Sequence, residues 1–452
     1  MAERVFKRKI YEKFLEWKRE DNGSTALLVE GARRVGKSTI VEEFARREYD
    51  SYLMIDFSIA SKQVKDLFSD ISNLDMLFTM LQMYYSVSLT PGKSLIIFDE
   101  IQKWPLARQA VKHLVKDGRF HYIETGSLLG IKMKKKPKAD NTKILIPSEE
   151  RRICMYPMDY EEFRWALGDK VTMPLLQNIF SAGTPMGDDM NRKLMKDFRL
   201  YVVVGGMPQA VNTYLDTLDL SKVDQVKRNI INLYDDDFYE LDNTGKTSML
   251  FHAIPAQLNT NAKRYQVSSV ISGSRAERLT QPLSILRESM TVDVALHSND
   301  PSAGLAMHVN PDCFKLYCCD TGLFVTLAFW DTDYTSNILY AKLLGDKLTA
   351  DVGYVYENVV GQMLVATGKK LYYHTWPTPD GKKHYEVDFL IPNGGKIDAL
   401  EVKSANSKDH ASIDAFAQKY SQRLQQSFLI HGKDMRKERA LKCIPFYMTQ
   451  FL

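Results

Sequence analysis

Gly31-Ala32-Arg33-Arg34-Val35-Gly36-Lys37-Ser38-Thr39 is the stretch whose reading decides the fold of the first part of the chain. It fits the pattern Gly-x4-Gly-Lys-[Ser/Thr], which carries chemistry only between a strand and a helix. Both neighbours are legible. Ala26 to Glu30 is a short apolar run of the kind that forms a buried strand, and Ser38 to Arg47 returns to helical periodicity. Gly31 and Gly36 let the backbone curl so that successive N–H groups turn inward on an anion. Lys37 adds a point charge for the β and γ phosphates, and the Ser38 hydroxyl is a Mg²⁺ ligand. The helix that starts there adds its positive dipole end. Residues 31 to 39 are therefore expected to hold ATP with Mg²⁺.

Further strands follow in the pattern of an open α/β sheet. Ser94 to Phe98 is an apolar run that ends in Asp99-Glu100, and such sheets bind ligands at the carboxyl ends of their strands. Asp99 is the candidate to hold Mg²⁺, directly or through water, and Glu100 the candidate to polarise the attacking water. Tyr52 to Phe57 reads as another core strand. Phe120 to Glu124 reads as a further one, ending in Thr125-Gly126-Ser127. Thr125 is the expected γ-phosphate sensor and Ser127 the alternative; a plain strand-end turn is the competing reading. Ahead of the loop, Ile10 to Lys18 has the apolar spacing of an amphipathic helix, broken by Asn22-Gly23-Ser24.

The whole chain sets bounds on these readings. Its 452 residues suggest about two to four domains. With 44% hydrophobic and 26% charged residues it has a soluble globular composition, and a net charge of +4 is too mild to announce a nucleic-acid partner by itself. Five cysteines without a CxxC spacing argue against a disulfide framework or a zinc site and fit a reducing interior. The first residues lack the apolar core of a signal peptide, and no apolar run approaches a membrane span. A cytoplasmic protein with no membrane partner is expected.

Several motifs recur in a fixed order. The phosphate loop is followed by Phe98-Asp99-Glu100-Ile101-Gln102, Glu124-Thr125-Gly126-Ser127, residues 156–163 (Tyr-Pro-Met-Asp-Tyr-Glu-Glu-Phe) and Gly205-Gly206-Met207-Pro208. Residues 315–323 (Lys-Leu-Tyr-Cys-Cys-Asp-Thr-Gly-Leu), 386–390 (Glu-Val-Asp-Phe-Leu) and Glu401-Val402-Lys403 come next. In this the chain resembles the prokaryotic AAA-type ATPases that carry a C-terminal domain of unknown function. The resemblance implies ATP binding and leaves the cellular task open. It also draws attention to Arg151-Arg152, because in AAA-type ATPases an arginine near this position often reaches a neighbouring subunit's γ-phosphate and stabilises transition-state charge. Either arginine acting in trans would require a homo-oligomer. The competing reading is solvation, or pairing with Glu149 and Glu150.

Nucleic acid enters as a candidate partner, DNA ahead of RNA, on local features. Lys132 to Lys138 is a concentrated basic loop, suited to phosphate contact or simply solvated. Asp235-Asp236-Asp237 lacks metal-loop spacing and reads as a solvated helix face. From Gly245 to about Asn310, three short helices precede a hairpin of Thr291 to His297 with Met307 to Val309, which outlines a winged helix. Its recognition helix, roughly Arg275 to Ser289, carries Arg275, Arg278 and Arg287.

Near the C-terminus, Glu386 to Ile391 and Ile397 to Lys403 are strand-like runs. With Gly394-Gly395 as a two-residue turn, Asn393 pairs with Lys396, and counting outward sets Asp388 opposite Glu401. Their β-carbons would lie about 5 Å apart, with Lys403 on the same face. This is the D…ExK pattern of restriction-endonuclease-like folds. Asp388 and Glu401 would hold Mg²⁺, and Lys403 would position or help to deprotonate water. Glu357, on an apparent helix from Tyr354 to Val365, resembles the additional acid of such nucleases. A surface pairing of Lys403 with Glu401 or Glu386 is the competing reading.

The expected architecture is α/β. It consists of an AAA-type P-loop NTPase core (1–165), a helical, lid-like extension (166–244), a winged helix (245–312) and a restriction-endonuclease-like α/β domain (313–452). The leading expectation is an ATP-driven switch or motor on nucleic acid. The alternatives are an ATP-regulated, Mg²⁺-dependent DNA nuclease and a protein-remodelling or scaffold ATPase.

Overall fold

The computed structural model describes residues 4–126, 148–260, 263–273, 279–331, 343–345, 352–404 and 410–452. Ser127, Lys132 to Lys138, Arg275 and Arg278 lie outside these residues. Two compact units divide the chain, one formed essentially by residues 1–156 and the other by 157–287 with 291–452.

Among the described residues the first unit is built on five parallel strands: β1 (Ala26–Glu30), β2 (Ser51–Asp56), β3 (Ser94–Asp99), β4 (His121–Gly126) and β5 (Glu150–Cys154), in the order β2-β3-β4-β1-β5. β1, β3 and β4 are buried along their whole length, as strands covered on both faces must be. Hence their continuous apolar runs. The helix Ile10–Glu20 buries Phe14 and Trp17, and Phe14 packs edge-to-face on Phe44 of the helix Lys37–Glu48. Strand order therefore brings the ends of β1, β3 and β4 side by side, although their residues are far apart in sequence.

The second unit begins with helices and ends in an eight-stranded mixed sheet. Its strands are β6 (Val292–Ser298), β7 (Val309–Cys318), β8 (Leu371–Pro377), β9 (His384–Asn393), β10 (Lys396–Lys403), β11 (Leu424–His431), β12 (Arg436–Glu438) and β13 (Leu441–Pro445). The order is β12-β13-β11-β10-β9-β8-β6-β7. The hairpin at Gly394-Gly395 forms with the counted register. Asn393 pairs with Lys396, and the ladder runs to Phe389 with Leu400, one step short of Asp388 and Glu401.

The separate winged helix expected over 245–312 is corrected by this sheet. Four helices stand where three were expected (Lys246–His252, Ile254–Asn259, Val267–Val270 and Thr280–Glu288), Met307 lies in a 3-10 turn (Leu305–His308) rather than in a strand, and β6 pairs antiparallel with β7. However, β6 also pairs in parallel with β8, so the hairpin is part of the C-terminal sheet. A wing leaves its outer edge to solvent or to a ligand; here that edge is consumed by backbone hydrogen bonding. The boundary at 312/313 falls inside β7. The first compact unit likewise ends near Tyr156, ahead of the expected limit at 165, and the helix Tyr160–Ala166 belongs with the second. Of the expected recognition helix, Thr280–Glu288 is helical, with Arg287 in its last turn.

Three recurring motifs of the second unit prove to be packing devices. Met158 donates its N–H to the Gly206 carbonyl, and Gly206 donates its own to Asp320 Oδ2 at 2.6 Å. A β-carbon on Gly206 would stand 2.0 Å from the Met158 carbonyl oxygen, so only glycine allows this approach. Asp320 also caps the helix Thr321–Ala328, and Asp159 forms a reciprocal capping box with Glu162. Lys227, fully buried, donates to the carbonyls of Val203 and Gly322. Asp235 meets His252 at 2.8 Å, while Asp236 is exposed, on the helix Leu220–Leu241.

Candidate functional sites

The phosphate loop leaves β1 at Gly31. A β-carbon at Gly31 would stand 2.4 Å from the Met155 carbonyl oxygen, so the loop's first turn passes against the exit of β5. Ala32 and Val35 are buried, Arg33 is half-buried and Arg34 is exposed. Arg34 and Gly36 both have positive φ (71° and 94°), the curl that turns backbone N–H groups inward. Gly36 caps the helix Lys37–Glu48, whose first turn holds Lys37, Ser38 and Thr39. Lys37 Nζ donates to the carbonyls of Gly31 and Ala32 at 2.9 and 3.0 Å.

Asp99 ends β3 beside this turn. Ser38 Oγ donates to Asp99 Oδ1 at 2.7 Å, and Thr125 Oγ1, at the end of the neighbouring β4, donates to the same oxygen. Thr125 is buried, and the Glu100 N–H donates to its hydroxyl at 3.4 Å. One carboxylate and two hydroxyls form an all-oxygen set of the kind a hard cation such as Mg²⁺ takes. The Ser38 and Asp99 oxygens thus fit the ion that a phosphate loop uses. Glu100 adopts a left-handed backbone (φ 51°), uncommon for glutamate, and accepts from Gln102 Nε2.

Sequence reading missed two features around the loop. Arg8 is buried and donates to the Val35 carbonyl at 2.9 Å and to that of Tyr156 at 2.6 Å, tying the N-terminal segment to the loop. A lone arginine ahead of a helix gives no signal of this. Glu124, immediately before Thr125, is fully buried, and burial, with Glu150 nearby, pushes its carboxyl well above the usual range. Arg108 lies 4.0 Å from it and forms a bidentate pair with Glu150. The two arginines expected as fingers sit on edge strand β5. Arg151 is held by Glu16, Glu20 and Asp21 of the first helix at 2.9, 3.2 and 3.0 Å. Arg152 reaches Glu150 at 3.4 Å and Glu30 at 3.8 Å. Both are thus committed to carboxylates of their own chain.

The second unit holds a cavity of about 440 Å³ lined by Asp388, Glu401, Lys403, Glu357, Glu386 and Lys315, among others. The expected C-terminal constellation therefore converges, but with partners the sequence did not reveal. Asp388 Oδ2 accepts the Val402 N–H at 2.8 Å, and burial with Glu357 nearby pushes its carboxyl up to about 8. Glu401 accepts the Ile413 N–H at 3.1 Å and pairs with Lys403 at 2.8 Å; burial raises its carboxyl too. Glu357 receives Lys315 at 2.7 Å and the Tyr317 hydroxyl at 2.6 Å. Lys315 also reaches Glu386 at 2.5 Å, and Lys263 meets Glu386 at 2.7 Å. Burial would raise the Glu386 carboxyl, but Lys315 and Lys263 hold it below its ordinary value. Among the described residues, no three acidic, histidine or cysteine side chains converge as a metal cage. Glu357, expected as a metal ligand, is a partner of Lys315.

Comparison with known proteins divides the chain similarly. Residues 23–164 match the family model of an AAA domain, which indicates an AAA-type P-loop ATPase over that span. Residues 195–334 match a domain of unknown function (DUF8612), and residues 352–448 match another (DUF4143). No curated protein matches. Among solved structures, the Walker-type ATPase paby2304 of Pyrococcus abyssi is 16% identical over 72% of this chain and 96% of that one, with a TM-score of 0.44. The Thermotoga maritima RuvB Holliday junction branch migration motor is 12% identical over 64% and 89%, with a TM-score of 0.28. The STAND protein PH0952 of Pyrococcus horikoshii is 10% identical over 81% and 50%, with a TM-score of 0.26. No described helix is long and apolar enough to cross a membrane.

Proposed function

We propose that the first unit binds and hydrolyses ATP with Mg²⁺, and that this drives a switch or motor acting on nucleic acid. The observation that carries the ATPase reading is the meeting of Ser38, Asp99 and Thr125 on one carboxylate oxygen beside the curled loop. The loop N–H groups and Lys37 bind the β and γ phosphates, which pre-pays orientation and offsets developing charge. Ser38 and Asp99 would hold a Mg²⁺, which would supply positive charge to shield the phosphates. Glu100 orients and polarises the attacking water, and Thr125 reports on the γ-phosphate through its contact with Asp99. An arginine acting in trans would be Arg151 or Arg152, both partly exposed on β5. That role requires a homo-oligomer and exchange of the carboxylate contacts each makes within its own chain.

Nucleic acid, with DNA the first candidate, is the proposed partner of the second unit. The supporting observation is the cavity, where Lys263, Lys315 and Lys403 converge with acids of β9 and β10. Cleavage at Asp388, Glu401 and Lys403 is the enzymatic alternative for this pocket, and a protein-remodelling or scaffold ATPase is the alternative for the whole chain. ATP turnover with and without duplex and single-stranded DNA, beside native mass, separates these readings. Stimulation of about threefold or more by DNA, in an oligomer, is expected for a motor tied to its track. Turnover indifferent to DNA that binds the chain, or no DNA binding at all, assigns the protein to the remodelling class.

A further inference from the structure

The four carboxylates of the second-unit cavity come from three elements, and each has its charge or its oxygens engaged from within the chain. Lys315, on β7, is buried, and its ammonium bridges Glu357 of the helix Gly353–Ala366 to Glu386 of β9 at 2.7 and 2.5 Å. Tyr317, two residues along the same strand, donates to the same Glu357 oxygen. Lys263 takes Glu386 from its other side and Lys403 takes Glu401. An ammonium held by two carboxylates in a desolvated site supplies the positive charge that a divalent ion would otherwise bring. A metal entering beside it would meet that charge at close range, with Glu357 already spent.

We infer that Lys315 is the resident cation of this pocket, filling the electrostatic role of a divalent ion, so that the pocket works without metal. The inference rests on reading the cavity as the ligand site of the second unit. Its consequence is specific: a phosphate-bearing strand enters a pocket that already holds its own cation and meets Lys403 and Lys263 at its mouth, where both side chains are about a third or more exposed. Among the described residues Glu357, Glu386 and Glu401 are each paired with a lysine, which leaves Asp388 without the second acid a metal-bound water needs, so the pocket holds a phosphodiester without cutting it.

The test is a Mn²⁺ titration of the full nucleotide-free chain, followed by the electron-spin-resonance signal of free Mn²⁺. Asp99→Asn is the parent, to silence the first-unit site. The parent is expected to show no saturable site below about 1 mM. Lys315→Met should create one, about tenfold tighter or more, as expected when a neighbouring positive charge is removed. Adding Asp388→Asn should abolish it again. A parent chain that already takes one Mn²⁺, lost on Asp388→Asn, overturns the inference, and so does a folded Lys315→Met chain that gains no site. Should Lys315→Met fail to fold, as judged by circular dichroism, the parent titration decides alone. Binding of a DNA oligonucleotide in EDTA is measured in parallel. Equal affinity in EDTA and Mg²⁺ is expected, while affinity that requires Mg²⁺ counts against a metal-free pocket. Absence of binding in both removes the ligand reading of the cavity and leaves the Mn²⁺ result to stand separately.

Discussion

Asp99 and Glu357 are both carboxylates at the centre of a candidate site, yet the chain treats them in opposite ways. Asp99 receives two hydroxyls, from Ser38 and Thr125, on one carboxylate oxygen. Glu357 receives the Lys315 ammonium and the Tyr317 hydroxyl. A hydroxyl offers an oxygen that a cation can share, so the first site is open to a metal. An ammonium has no lone pair and brings its own charge, so the second site is complete already. The difference teaches that an acidic cluster is defined by what neutralises it rather than by how many acids it contains.

This contrast breaks if either carboxylate behaves like the other. Asp99→Asn is expected to lower ATP turnover by about 10²–10³-fold while moving unfolding stability by no more than about 1 kcal/mol. Steady-state turnover and urea unfolding measure the two. A large loss of stability with turnover retained would mean that Asp99 is structural. Glu357→Gln should do the reverse at its own site, costing about 1.5–3 kcal/mol in urea unfolding, because a charge-assisted hydrogen bond to a buried ammonium is weakened. An unchanged midpoint would show that Glu386 alone is a sufficient partner for Lys315.

A second pair of side chains sharpens the point. Lys315 is buried between carboxylates, and despite the burial that would lower it, Glu357 and its neighbours hold its ammonium well above the ordinary lysine value. Lys227 is fully buried and donates to two carbonyls, and burial brings it down to about 8 although Asp224 and Asp320 nearby act to raise it. The unfolded chain keeps that proton to about 10.5, so between these values the unfolded state binds more protons and stability rises with pH. This contribution should amount to about 1 kcal/mol from about pH 8 to 9, and it should be missing from Lys227→Met. The measurement is the difference in urea midpoint between the two chains across that interval. Parallel curves would mean that Lys227 keeps its proton in the folded chain as firmly as Lys315 does.

What could be read in advance followed the length scale of the physics. The phosphate loop was legible because its chemistry is local: Gly31, Gly36, Lys37 and Ser38 lie within one turn and its lead-in. The hairpin at Gly394-Gly395 was legible because a two-residue turn sets its register by counting. The winged helix went astray although helices and the first hairpin strand were expected where they form. The strand that absorbs the outer edge of β6 starts at Leu371, far along the chain, and parallel pairing leaves no mark in local periodicity. Gly205-Gly206 and Asp320 stood out as motifs, but that they meet one another is a matter of packing.

By itself, then, the sequence determined a P-loop nucleotide site and the positions of the acids that could serve it, because backbone curl, strand ends and turn geometry act over a few residues. Tertiary structure alone decided which charges those acids meet. Glu357 and Lys315 are 42 residues apart, and whether a carboxylate faces a hydroxyl or an ammonium depends on which strands share a sheet. Coulomb interaction in a desolvated pocket is strong but carries no sequence period, so it becomes readable only once the fold has brought the charges together.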